Sequence, residues 1–171
     1  MSDSVSFALL APVPEEHLVS ALDVLANQGF VAFGSRKWEL FRELDAERGI
    51  ENVPALIYPS YEHSQPALTY QIAWLGWCSG HVEAIGGAHP QGMQHRPQST
   101  LQYADDNKDL WVVFWHVMGL RRLDEVERKP LSSLLSYKSG KYWKAGTPPR
   151  GPEIVARPTW FDELMATDAR D

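Results

Sequence analysis

The chain has 171 residues, 44% of them apolar, a formal net charge of −6, seven tryptophans and one cysteine. That length most economically makes one domain with a sizeable core, and the composition excludes fibrous and disordered classes. The lone Cys78 excludes an intrachain disulfide and a thiolate metal cluster, and the acidic charge argues against indiscriminate DNA coating, which needs many phosphate contacts.

Residues 5–11 read as a first strand, broken by Pro12 and Pro14. Pro14 starts a helix with Glu15 and Glu16 in its first turn, Leu18, Ala21, Leu22 and Leu25 on its apolar stripe, and Gly29 after its end. Residues 30–33 are a short strand ended by Gly34, and residues 37–48 a second amphipathic helix with Leu40, Phe41 and Leu44 inward. Residues 53–58 form a strand that Pro54 suits to an edge or a strand start, and a polar turn with Tyr58 and Tyr61 follows.

Two tryptophan-rich runs come next, residues 68–78 (LTYQIAWLGWC) and 110–120 (LWVVFWHVMGL). In the second, Trp111, Val113, Trp115 and Val117 fall on one face of a strand, and Val112, Phe114, His116 and Met118 on the other. Apolar residues on both faces call for a closed barrel or a sandwich. Gly76 and Ser79-Gly80 mark bulges in the first run, which residues 81–85 continue. Between the runs, residues 86–108 lack apolar period, and a connection that long is usually functional or disordered. Residues 130–137 read as a short helix, 138–152 as a basic loop, 154–157 as a last strand, and 160–165 as a terminal helix before a frayed tail over 166–171.

This order predicts a single α+β domain over residues 1–171, a small mixed β-barrel decorated by helices. Alternating βαβ units with a parallel sheet fit it poorly. No run reaches the length of a membrane span, and the N-terminus lacks a basic n-region and a cleavage-like site, so a soluble cytoplasmic protein is expected.

The charge is uneven. Residues 121–158 hold nine Lys and Arg against four Asp and Glu, whereas residues 1–120 hold six against fourteen. A local basic face suits a short or single-stranded nucleic acid. Residues 138–147 (KSGKYWKAGT) interleave cations with aromatics and glycines, a mix that clamps a backbone and stacks a base. It is not a P-loop, because no glycine-rich run precedes Gly140-Lys141. A solvated loop with Trp143 packed back on the core fits equally well. His81, His89, His95 and His116 match no metal-ligand spacing, no cofactor motif is present, and His116 reads as a core histidine.

From Val53 onward the chain resembles the EVE family and, more loosely, the ASCH family, both in the PUA-like superfamily of small barrels. The landmarks are residues 55–60 (ALIYPS), the bent strand over 70–84, the apolar strand over 111–123 followed by residues 130–134 (PLSSL), and residues 157–161 (RPTWF). Trp38 stands where the EVE family carries a tryptophan in its second segment. Gly34, Lys37, Glu39 and Arg42 approach the ASCH hallmark at a different spacing.

The resemblance implies a domain that binds RNA or modified DNA and holds a flipped, modified base in an aromatic pocket. A flipped base needs stacking faces and nearby cations. Candidate stacking residues are Trp38, Tyr58, Tyr61, Trp74, Trp77, Trp111 and Trp115, and candidate backbone cations are Arg121, Lys138, Lys141, Lys144 and Arg150. No catalytic set is enforced by spacing. The alternatives are a small ASCH-like hydrolase of a nucleoside or RNA, and a protein–protein module.

Overall fold

The computed structural model describes residues 4–60, 70–147 and 149–167. Strand β1 (Phe7–Pro12) leads into helix α1 (Glu15–Gln28), strand β2 (Val31–Ser35), helix α2 (Trp38–Arg48) and strand β3 (Val53–Tyr58). After the short β4 (Gln71–Ile72) come the long strands β5 (Trp74–Glu83) and β6 (Val113–Arg122). The short β7 (Lys129–Pro130), strand β8 (Glu153–Ala156) and helix α3 (Phe161–Thr167) complete the order.

Six strands form one sheet in the order β2-β6-β5-β3-β1-β8, and β4 pairs with β7 apart from it. β1 and β3 run parallel, and the other neighbours are antiparallel. The sheet is α+β but open, with β2 and β8 at its two edges, so the expected barrel closure is not what the strands make. The parallel β1/β3 pair, joined through α1, β2 and α2, makes this sheet mixed, as expected, although it does not close.

The reason lies in how both faces are buried. On one face α1 and α2 supply Leu18, Ala21, Phe41 and Leu44 against Leu9, Ile57, Trp74 and Trp115. On the other, Leu131, Leu134 and Phe161 pack on Leu10, Leu56, Leu75 and Val155. Double-sided apolar strands are thus satisfied by layers rather than by closure. At about 25 cal/mol per Å² of apolar surface, each buried Leu or Phe contributes about 1.5–3 kcal/mol before entropy is subtracted.

Several local signals act as the sequence predicts. Gly29 ends α1 in a left-handed conformation (φ 86°) and its N–H donates to Leu25 O at 2.9 Å. The β5/β6 register shifts between Leu75 and Trp77 and again between Cys78 and Gly80, at the two predicted bulges. β3 is central rather than an edge, and Pro54, second in the strand, is tolerated at this start because the β1 ladder begins only at Ala55. The expected helix over 130–137 is also absent. Lys129–Pro130 is strand and Leu131–Ser133 a single 3₁₀ turn, with Ser133 Oγ donating to Pro130 O at 2.7 Å. Ala166 and Thr167, expected to fray, belong to α3.

The segment over residues 86–109 folds as a cap. Its neck is closed by Asp109 N–H donating to Gly86 O at 2.9 Å, and Gly87 (φ 78°) is required there because a Cβ would strike the Asp109 backbone. Its centre protects the β2 edge: Ala32 N–H donates to His95 O at 2.7 Å, and Arg96 Nη1 donates to Ala32 O at 2.7 Å. No helix among the described residues is long and apolar enough to cross a membrane.

Candidate functional site

The site forms where the ends of β1 and β2 meet the cap and the loop before β8. Gly34 on β2 is the starting point, because any Cβ there would penetrate the ring of Trp111. The glycine lets the indole lie directly on the strand backbone. Trp111 Nε1 donates to Asp106 Oδ1 at 3.1 Å, and Asp106 also takes the Arg96 guanidinium. Arg96 is buried, its Nε donates to Asn107 Oδ1 at 2.9 Å, and burial pulls its pKa down against the pull of Asp106. One buried cation thus fixes the cap, Asp106 and the tilt of Trp111 together.

Beside this indole is a cavity of about 400 Å³, a size that accepts a small planar ligand. Trp111, Trp115 and Phe33 give it apolar walls, and Arg36, Lys37 and Arg150 stand exposed on its lining. Trp115 itself is 2% exposed, stacked on Phe41 at 5.9 Å and tilted on Phe33 at 5.1 Å, so it backs the wall rather than offering a face. His17 also lines the cavity. Its Nδ1 lies 2.6 Å from Ser99 Oγ, which leaves Nε2 as its other polar atom, and burial lowers its pKa although Asp106 and Glu16 pull the other way. His17 is therefore neutral at pH 7 and able to donate or accept one hydrogen bond.

The predicted residues divide sharply. Trp111, Trp115 and Arg150 meet at this cavity. Trp38 and Lys138 line an adjoining cleft of about 320 Å³, with Trp38 40% exposed and Lys138 paired to Glu43 at 3.1 Å. The rest are elsewhere. Trp74 is fully buried and its Nε1 donates to Glu15 Oε2 at 2.8 Å, because a buried indole must find an acceptor. Trp77 sits edge-on to Phe161, with Arg157 stacked over it at 5.6 Å. Tyr58 is buried in the second core layer, its Oη donates to Pro149 O at 3.3 Å, and burial raises its pKa. That bond tethers the loop that carries Arg150.

Arg121 holds Glu127 through two contacts of 3.1 Å and donates to Leu164 O at 3.0 Å, a structural clamp far from the cavity. Lys144 lines a separate hollow of about 80 Å³ with Tyr70, and Lys141 is an exposed loop residue that borders none of these cavities. Trp143 packs back against the second core cluster. Tyr61 lies outside the described residues.

Sequence reasoning missed His17, Arg36, Arg96 and Asp106, and it singled out Gly34 and Lys37 only for their approach to the ASCH hallmark. Arg96 is the only Lys or Arg between Arg48 and Lys108, in a segment otherwise poor in charge. Charged side chains are mostly exposed, so its burial against Asp106 is set by the fold and not by this pattern.

His89, His95 and His116 form a cluster of their own beneath the cap, whereas His81 pairs with Asp45 through its Nδ1. His89 Nε2 and His116 Nε2 lie 3.1 Å apart, and His95 stacks on Phe30 at 4.0 Å. Gln91 N–H donates to His89 Nδ1 at 3.1 Å, so His89 carries its proton on Nε2 and donates to His116. Burial first, then the neighbouring histidines, lower both pKa values to about 4. No group of three or more His, Cys, Asp or Glu among the described residues is arranged to hold a metal ion. Cys78 is buried and its pKa is pushed up to about 12, so it is an inert thiol.

No family model and no curated protein matches this chain.

Proposed function

We propose that the chain is a nucleic-acid-binding module that takes an unpaired or flipped base, plain or modified, into the cavity beside Trp111. The observation that carries this is the Trp111 indole laid on Gly34 as the wall of a cavity of about 400 Å³, with Arg36, Lys37 and Arg150 exposed along it. An aromatic wall takes a base by stacking, at about 1–3 kcal/mol per base, and the cations take the flanking phosphate. His17 supplies one donor or acceptor for the base edge. A cavity of about 400 Å³ suits a single strand or an extruded nucleotide better than an intact duplex.

The resemblance to EVE and PUA-like domains belongs to this proposal. It is supported by the order of landmarks from residue 53 onward and owes nothing to barrel closure. A cytoplasmic setting, where nucleic acid is at hand and Cys78 stays reduced, belongs to it as well.

The hydrolase alternative has one observation in its favour, the Ser99-held His17 beside Asp106 on the cavity. Against it, Asp106 is already engaged by Arg96 and Trp111, and Thr100 Oγ1 donates to Pro97 O at 2.6 Å. The test is binding of short single- and double-stranded oligonucleotides, plain and base-modified, at two salt concentrations, with product analysis. Binding that weakens with salt, without cleavage, is expected. Absent binding, or binding indifferent to salt, overturns the reading.

A further inference from the structure

The Trp111 cavity is flanked by two concavities that differ in charge, one balanced between cations and carboxylates and one lined by carboxylates without Lys or Arg. On one side, the cleft containing Trp38 shares Arg36, Lys37 and Pro152 with it. On the other, a groove of about 630 Å³ shares Pro14, His17 and Asp106 with it, and adds Glu16 and Asp105. A phosphodiester leaving the cavity toward Glu16 and Asp105 meets like charge. One leaving toward the Trp38 cleft meets Arg36 and Lys37, which line both concavities.

The Trp38 cleft is not itself a phosphate site. Its Lys138 is neutralised by Glu43 at 3.1 Å, and Glu39 and Glu153 also line it. What it offers is the Trp38 indole, 40% exposed. The guanidinium of Arg42 sits 4.8 Å from that ring centroid, yet Arg42 does not line the cleft, so the cleft side of the ring is not covered by it.

We propose that the Trp38 cleft is a second base slot, so that the ligand is a single-stranded chain bound through two neighbouring bases with their shared phosphate at Arg36 and Lys37. This rests on the base-binding reading of the Trp111 cavity and adds to it the side on which the strand continues and a footprint of two nucleotides.

The test compares the 5′-phosphorylated adenylates pA, pApA and pApApA as ligands of the intact chain at constant salt. The second nucleotide should tighten binding about tenfold, the size of one stacked base, and the third should add less than about twofold. Trp38→Ala should abolish the gain from pA to pApA without changing the affinity for pA, and Trp38→Phe should keep most of the gain. Binding of pA with no gain for pApA, or a gain that survives Trp38→Ala, overturns the second slot while leaving the Trp111 cavity standing. Failure of all three adenylates to bind overturns the cavity reading and this proposal together.

Discussion

The Trp111 indole lies so close over Gly34 that the strand cannot carry a side chain at that position. Glycine is weak in a strand interior, losing about 0.5–1 kcal/mol against alanine, so its presence here reflects the close approach of the ring. Gly34→Ala should push Trp111 off the strand and lower base affinity at least about tenfold, the loss of one stacked base. Overpacking should cost about 1–3 kcal/mol of stability, read as a fall in denaturation midpoint with the chain still folded.

Arg96 should be the cap's most sensitive residue. It is buried, paired to Asp106, and donates to Ala32 O and Asn107 Oδ1. Arg96→Ala leaves a buried carboxylate and an edge carbonyl without their partner, at a cost of about 3–5 kcal/mol. Arg150→Ala, at an exposed loop position, should stay within about 0.5 kcal/mol. Urea unfolding of the two variants measures the contrast.

The salt dependence of binding should trace to the cavity rim. Three cations, Arg36, Lys37 and Arg150, predict a log–log slope of about −2 for a single strand. Lys37→Ala or Arg150→Ala should each flatten it by about 0.7. Lys141→Ala and Lys144→Ala, away from the cavity, should leave it unchanged. Titrations across a series of salt concentrations distinguish the two pairs.

The His89–His116 pair gives a pH dependence of stability. Both pKa values are lowered to about 4 in the folded chain, below the usual histidine value of 6.5. The unfolded state therefore binds more protons in that interval, and stability must fall as pH falls from about 6.5 toward 4. Replacing His116 by Gln should flatten this part of the curve. Thermal melts between pH 7 and pH 4.5 report it, with a shift of about 2–4 °C for each kcal/mol lost.

The sequence carried local features well. Alternation over residues 110–120 separated Val113, Trp115 and Val117 from Phe114 and His116, and the fold turns the first face to the helices and the second to the cap. Gly29, Gly76 and Gly80 marked a helix end and two bulges. Whether the apolar strands close on themselves or are covered by layers depends on contacts distant in sequence, such as Phe161 on Leu75 and Phe41 on Trp115. Periodicity does not encode those contacts.

The site was legible only in its aromatics and Arg150. Its other parts come from three segments: His17 on α1, Gly34 to Lys37 at the end of β2 and just beyond it, and Arg96 with Asp106 in the cap. No local pattern joins them. The basic run over 138–147 drew attention by composition, yet it was Arg36 and Lys37, two cations between a strand and a helix, that the fold set on the rim.

The tryptophan indole N–H resonances of the ¹⁵N-labelled chain test the central claim most directly during titration with pApA. The Trp111 signal should move with ligand, while the fully buried, Glu15-bonded Trp74 signal stays fixed. A titration in which Trp111 stays still, or in which Trp77 at the opposite face of the sheet moves in its place, contradicts it.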